Sequence, residues 1–445
     1  MMEKAPNWKT NFNPTLFRKA LDSKELQELI KKAEKEYIYW DKFRFYNPPN
    51  GFTIEEAWAY LKFSRVTNQE NTFVRDKNGE SFVFTTTKTM FQKLSYIDSN
   101  TSGFLTSEWG RPTDNQKNQL IISGLAEEAI ASSQIEGANT SRKVAKEMIL
   151  SQRKPKNRSE QMIINNYQVM QRLVDWKDLD LNREILLEIQ KTITNEAINN
   201  PEDSGRFRKN EDNIHVVDPV TQLSVYTPPD ENIFQKELDR LIEFANRDED
   251  GEDFIHPVIK ASIIHFWLAY LHPFVDGNGR TARAIFYWYM LKKNYWVFQY
   301  LSISRAIKLT RTQYDNAFLK TEIDDNDLTY FILYQIKTIN ESINNFISHY
   351  EKKIKDNKKI EFLTTKLKNF NTRQISLIDY LYNHPETIIN IKMHQNRYQT
   401  AYQTARMDLI KLTEVGFLTQ IADGNKYIYV SNKEAIDKII KKTEK

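Results

Sequence analysis

From Asn115 onward the apolar positions recur at helical spacing. Leu120, Leu125, Ala129 and Ile135 fall along one segment that runs to Glu136, and Gly137 follows as its C-cap. The same period predicts helices over 142–153, 158–176, 182–198, 231–246, 256–271, 280–293, 303–321 and 327–350. Between 200 and 231 it lapses, and 213–217 and 223–227 read as two short strands around a DPVTQ turn. The aromatic-rich stretches YIYWDKFRFYNPP at 37–49 and FTIEEAWAYLKFSR at 52–65 precede FVFTTT at 82–87, a short strand. Near the C-terminus, 372–384 is amphipathic through Ile375, Leu377, Ile378 and Leu381, and a second helix is expected over 387–395. A third helix, 404–418, sets Ala405, Leu409, Leu412 and Val415 on one face, with Gly416 as its cap. A hairpin over 417–430, turning at Asp423-Gly424-Asn425, completes the pattern.

Four segments follow: residues 1–110, an N-terminal extension of unknown role packing on a central domain; 111–350, the central helical domain; 351–370, a charged linker helix built on EKKIKDNKKIE; and 371–445, a small separate domain. Composition agrees with a mainly α protein. Of 445 residues only 12 are glycine and 13 proline, against a usual glycine share of about 7%. The absence of cysteine removes disulfides, thiolate metal sites and a catalytic thiol. With 63 Lys+Arg against 59 Asp+Glu, the net charge of +4 is too small to argue for nucleic acid by itself. The most apolar run, VIKASIIHFWLAYL at 258–271, is 14 residues long and contains Lys260 and His265. It reads as a buried helix and not a membrane span. MMEKAPNWKTNFNPTLF lacks the apolar core of a secretory signal, so the expected location is cytoplasmic.

The chemistry concentrates in HPFVDGNGRTAR, residues 272–283, between two apolar helices. Pro273 stops the first helix. Gly277 and Gly279 allow a tight turn and a close approach of ligand to backbone. The amides opening the next helix form an anion site. Arg280 and Arg283, three residues apart, share a helix face and can both reach a polyphosphate. Asp276 offers a hard oxygen for Mg²⁺, and His272 is a candidate general base at neutral pH. The constellation points to a phosphate-handling site.

This string resembles the Fic signature, His-Pro-Phe-x-Asp/Glu-Gly-Asn-Gly-Arg-x-x-Arg, at every fixed position, and the resemblance extends over residues 115–350. SSQIEG at 132–137 is similar to the family's inhibitory motif, with Ser132, Glu136 and Gly137 at its fixed places. GRFR at 205–208 and IHVVDPVTQLSVYTPPDE at 214–231 look like the family's flap. The resemblance implies a Fic-type helical bundle that transfers AMP from ATP to a hydroxyl of a target protein, or of itself. In that reading His272 is the catalytic base. Asp276 holds Mg²⁺, and Gly277, Asn278, Gly279, Arg280 and Arg283 bind the nucleotide phosphates. Glu136, preceding the loop, pairs with Arg283 and blocks the γ-phosphate position. The target docks on the flap, 214–228. Removal of AMP from a target stays open as an alternative.

Residues 371–430 resemble a winged helix, a helix-turn-helix variant common after Fic domains. The resemblance implies a DNA reader in the third helix through Gln403, Arg406 and Lys411. The charge is weak for that role, nine Lys/Arg against six Asp/Glu from 396 to 445. A DNA-binding regulator with a nucleotide-sensing Fic domain is therefore the rival reading, and a protein-contact or homodimer module on the same fold stays open. No membrane partner is expected. His256 and His265 read as packed core residues.

Overall fold

A computed structural model describes residues 2–101, 114–217, 224–248, 251, 254–366, 369–424 and 426–437, with the side chains of 114–119 and 353–366 left out. The DPVTQ turn and Asn425 lie outside the described residues. The chain is mainly α-helical and divides into two compact units. One comprises Met1–Phe104, Glu128–Asn139 and Asn157–Ile343; the other comprises Leu105–Glu127, Thr140–Lys156 and Asn344–Lys445. Among the described residues no helix is long and apolar enough to cross a membrane.

The first unit is built around the helix Pro257–Leu271, which is buried on nearly every side, Lys260, Ser262 and His265 included. An all-round apolar helix has no solvent face and must lie at the centre of its bundle. Packed against it are Asn278–Lys292, reached through the short turn, and Glu231–Asn246. Arg158–Trp176 and Arg183–Thr194 complete the surround, packing on each other and on Asn278–Lys292. Asn157 and Asn182 start these last two by accepting the N3 amides on their side chains. His265 is fully buried, with Nε2 3.0 Å from Tyr314 Oη and Nδ1 2.7 Å from Gln335 Nε2. Burial pushes its pKa down to about 3. His256 accepts the Val258 amide on Nδ1 and sets Nε2 3.1 Å from Asp98.

The N-terminal aromatics form a core of their own. Tyr37, Tyr39, Trp40, Phe43 and Trp58 are all buried and extend to Tyr330. A polar network runs through it. Arg65, 1% exposed, donates to Glu34 Oε1 at 2.6 Å, Tyr330 Oη at 2.9 Å and the Ile38 carbonyl at 3.0 Å. Lys62 pairs with Asp324 at 2.9 Å, and Tyr37 donates to Asp327 at 2.6 Å. The strand Ser81–Phe84, paired with Glu70–Arg75, bridges in parallel to Asp327 through Val83. Residues 2–101 are thus joined to 324–330 by backbone, ion pair and ring packing.

In the second unit, Thr372–Asn383, Ile391–Tyr398 and Tyr402–Glu414 pack with a three-stranded sheet. Lys426–Ser431 is its central strand, flanked by Ile389–Asn390 and Leu418–Asp423. Asp408, 3% exposed, gathers donors from Asn371, Arg373, Gln374 and His394. Gln403, Arg406 and Lys411 are exposed, although the Lys411 ammonium turns back onto the Asn369 carbonyl.

Several boundaries differ from the sequence expectation for local reasons. The helix expected over 303–321 is two, Ile303–Leu309 and Arg311–Ile323, broken at Thr310. The second C-terminal helix begins at 391 and not 387, because Ile389 pairs with Tyr429 in the sheet and Asn390 caps the helix. The charged run at 351–361 does not interrupt the chain's course. It continues one helix, Thr329–Lys366, as expected for Lys- and Glu-rich sequence without glycine or proline.

The buried network predicts a contrast. Arg65→Ala, which strands Glu34 and two other acceptors, destabilises the first unit by about 3–5 kcal/mol. Arg172→Ala, which removes a half-exposed pair with Glu188, costs no more than about 1 kcal/mol. Urea unfolding midpoints check both.

Candidate active site

The turn between the two central helices is shaped by its own residues. His272 closes Pro257–Leu271 in the left-handed region, φ 49°, with its amide bonded to the Leu268 carbonyl at 3.1 Å. Asn278, 3% exposed, then reaches back across the turn. Its Oδ1 accepts the Phe274 amide at 2.9 Å and its Nδ2 donates to the Phe274 carbonyl at 2.8 Å. This side chain is committed to the turn, so what it offers an anion is its backbone amide. Gly277 takes φ +88°, a region that glycine occupies without strain. Thr281 is the first amide bonded inside the next helix, to the Gly277 carbonyl at 2.9 Å. The amides of Gly279 and Arg280 before it have no intrahelical acceptor and suit an anion.

The two motif arginines are held differently. Arg280, 1% exposed, donates to the Ile193 carbonyl at 3.2 Å and to Asp276 Oδ1 at 3.2 Å, and its Nε is buried without a partner. Arg283, 3% exposed, donates through Nε to Ser132 Oγ at 2.8 Å. Its Nη2 reaches the Ser132 carbonyl at 3.0 Å and Glu136 Oε1 at 2.8 Å. Burial alone would raise the Glu136 carboxyl, but the guanidinium beside it wins and the pKa is lowered. Arg283 is the mirror case: burial works to lower it, Glu136 outweighs that, and its pKa is raised. Gly279 lies directly beneath this pair. A Cβ there would collide with Glu136 Oε1 and stand 3.2 Å from Arg283 Nη1. Glu136 ends the helix Asp114–Ile135; Gly137 turns out of it at φ +93°, with the Ala138 amide on the Ser133 carbonyl.

His272 Nδ1 is 3.4 Å from the Ala269 carbonyl. A carbonyl only accepts, so this contact favours the proton on Nδ1 and leaves the Nε2 lone pair free. Burial lowers the His272 pKa to about 4, helped by Arg208 and opposed by the Ala269 carbonyl, Glu136 and Asp276. The imidazole is therefore neutral across pH 6–8. Asp276 uses Oδ1 on the Gly277 amide and Arg280, while Oδ2 has Arg158 at 3.9 Å. One oxygen thus remains for a cation. Among the described residues no cluster of His, Asp and Glu forms a ready metal cage, and Mg²⁺ ordinarily takes one or two carboxylates with substrate phosphates. The donor set fits that mode.

The turn thus gathers His272, Asp276, Gly277, Asn278, Gly279, Arg280 and Arg283 around one space, and the end of the preceding helix brings Ser132, Glu136 and Gly137 to its edge. Two supports escape a reading of the sequence. Arg208 donates to the His272 carbonyl at 2.8 Å and to the Pro229 carbonyl, and its own amide bonds to Pro273 at 2.9 Å. Gln190 holds the Asp276 carbonyl at 3.1 Å and the Gly205 amide at 2.5 Å. GRFR is the visible signal for the first; nothing in the sequence marks the second. Beside them Val216–Val217 and Ser224–Tyr226 pair antiparallel, and Tyr226 Oη donates to the Tyr270 carbonyl at 2.7 Å.

Residues 180–290 match the model of the Fic/DOC family. The turn lies inside that stretch; the helix end at 132–137 lies outside it. The chain is 26% identical over 117 residues to the protein adenylyltransferase Fic of Drosophila virilis, an overlap of 26% of this chain and 21% of that protein. It thus spans about a fifth (21%) of the length of the curated relatives it matches. Among solved structures it is similar to a Fic family protein from Desulfovibrio desulfuricans G20, with TM-score 0.47 and 16% identity over 77% of this chain and 94% of that one. Fic-1 of C. elegans (134–508) is similar with TM-score 0.45 and 19% identity over 58% and 71%.

The His272 environment makes a measurable prediction. Its Cε1–H resonance titrates with a midpoint near 4, and Glu136→Gly, which removes a nearby negative charge, moves that midpoint further down. A midpoint at the ordinary 6.5 would contradict the described burial.

Proposed function

We propose that this protein is a nucleotidyltransferase that moves AMP from ATP to a hydroxyl side chain of a protein, and that Glu136 holds it inactive. The observation that carries the reading is the convergence of a neutral histidine, a carboxylate oxygen outside hydrogen-bond reach of its Arg158 partner, helix-opening amides and two buried arginines on one turn within the stretch that matches the Fic/DOC family. His272 Nε2 takes the proton of the acceptor hydroxyl. The oxygen forms a bond to the α-phosphorus, the bond to the β-phosphate side breaks, and pyrophosphate leaves with the electron pair. Asp276 would hold Mg²⁺, which supplies charge neutralisation on the phosphates. The Gly279 and Arg280 amides and the Arg280 guanidinium orient the phosphates, and Arg283 takes the γ-phosphate once Glu136 gives it up. Positioning and charge stabilisation supply the rate. Docking of the target as an added strand on the flap, 214–228, is supported by the antiparallel pair Val216–Val217 and Ser224–Tyr226, which among the described residues pairs with no third strand, and by the Tyr226 bond to the Tyr270 carbonyl two residues before His272.

The C-terminal helices and hairpin support a winged helix. Exposed Gln403 and Arg406 on Tyr402–Glu414 favour DNA as a second partner. Filter binding to random duplex at two salt concentrations tests it: Arg406→Ala weakens binding and makes the salt slope shallower by about 0.9, the share of a single phosphate.

The main reading is tested with [α-³²P]ATP. His272→Ala abolishes incorporation of label into protein. Glu136→Gly raises it roughly 10- to 100-fold, the equivalent of about 1.5–3 kcal/mol for a hydrogen bond to a charged group. Equal labelling by wild type and Glu136→Gly would remove the inhibitory role.

A further inference from the structure

We propose that Glu128 is the positioning residue of the inhibitory helix, a buried pin that fixes the helix so that Glu136 meets Arg283. The inference rests on the inhibitory reading of Glu136. Glu128, Ser132 and Glu136 are spaced four apart and fall along one helix face, about 12 Å from first to last. Ser132 and Glu136 touch Arg283 directly; Glu128 does not.

Glu128 is 1% exposed. Its Oε2 accepts Tyr287 Oη at 2.8 Å, the Ser304 amide at 2.9 Å and Ser302 Oγ at 3.3 Å, and its Oε1 accepts Ser304 Oγ. Tyr287 is itself fixed, accepting the Ile303 amide at 2.8 Å. Burial pushes the Glu128 carboxyl pKa up, so the site works against the charge it holds. Only a core in which the carboxylate and its donors were all replaced by apolar groups could do without that charge at equal stability. What a carboxylate with four donors adds is a defined rotation and register of the helix, which apolar contact alone leaves loose.

The same segment grips the other end of the helix. Lys308 Nζ donates to Gln134 Oε1 at 2.6 Å, and Arg311 Nη1 donates to the Ile135 carbonyl at 3.0 Å. Residues 302–311 therefore contact the inhibitory helix at 128 and again at 134–135. Glu128 bonds none of His272, Asp276, Arg280 or Arg283; its link to the helix that carries the arginines is Tyr287, one turn beyond Arg283, so Glu128→Gln leaves every group of the chemistry in the chain.

Four proteins decide it: wild type, Glu128→Gln, Glu136→Gly and the double variant, each assayed for label from [α-³²P]ATP fixed in the chain itself and for thermal unfolding. Glu128→Gln raises labelling roughly 3- to 30-fold in the wild-type background. In the Glu136→Gly background it changes labelling by less than about twofold, because there is no carboxylate left to misplace. Labelling unchanged by Glu128→Gln while Glu136→Gly raises it overturns the pin and leaves the inhibitory reading standing. A loss of labelling in both backgrounds also overturns it and marks Glu128 as merely structural. If Glu136→Gly itself gives no rise, the inhibitory reading fails, and the pin with it. Should Glu128→Gln not fold, Ser304→Ala removes only the Oγ bond; a smaller rise, again absent beside Glu136→Gly, supports the pin, and no rise overturns it.

Discussion

A guanidinium buried to 3% exposure must find acceptors or destabilise the core around it. Arg283 finds three: a hydroxyl and a carbonyl from Ser132 and a carboxylate oxygen from Glu136. The first two belong to the body of the helix and cannot be exchanged. The third sits on a side chain still 31% exposed, at the last turn, next to a glycine. That one position needs an anion and is open to a change of anion. The bare approach at Gly279, the outward turn at Gly137 and the direction of the helix Asp114–Ile135 all serve to bring a carboxylate to that point. A phosphate oxygen has the same charge sign and the same bidentate geometry toward arginine. On the proposed reading the two compete for that one cation.

Much of the site is legible in the sequence because its chemistry is local. His272 through Arg283 are twelve consecutive positions, and a turn between two apolar helices can be read from glycine, proline and helical period alone. The helix expected over 158–176 starts and stops where its caps and period say. What escapes reading comes from contacts distant in the chain. Arg208 meets His272 across 64 positions, Gln190 meets Asp276 across 86, and Glu128 meets Ser304 across 176. No local pattern distinguishes a supporting glutamine from a solvent-facing one. Glu128 leaves one trace, a carboxylate among the alanines of EEAIASS eight positions before Glu136, and that trace has meaning only once the burial is known. The break at Thr310 is hidden for a related reason. Its hydroxyl bonds the Ala306 carbonyl at 2.9 Å and meets Tyr334 Oη at 2.9 Å, so tertiary contact and not propensity divides the helix.

The two glutamates on one helix face show how burial sorts similar groups into different tasks. A hydrogen bond to a charged group contributes about 1.5–3 kcal/mol, and 1.4 kcal/mol is about tenfold in an equilibrium. Under the proposed inhibitory role, a latch of that size would hold a site closed in most molecules yet yield to a nucleotide that brings its own contacts, whereas one several times stronger could not be displaced by one phosphate. Glu136, one hydrogen bond and a third exposed, falls in the yielding range. Glu128, with four donors and no exposure to speak of, does not. Removing it would leave the Ser304 amide and three hydroxyls without that acceptor, each at up to about 1–3 kcal/mol. The helix therefore gives way at its end before it gives way at its middle. If Glu136 is the latch proposed above, releasing it requires only the last turn to move, while the segment 302–311 contacts the helix at both places.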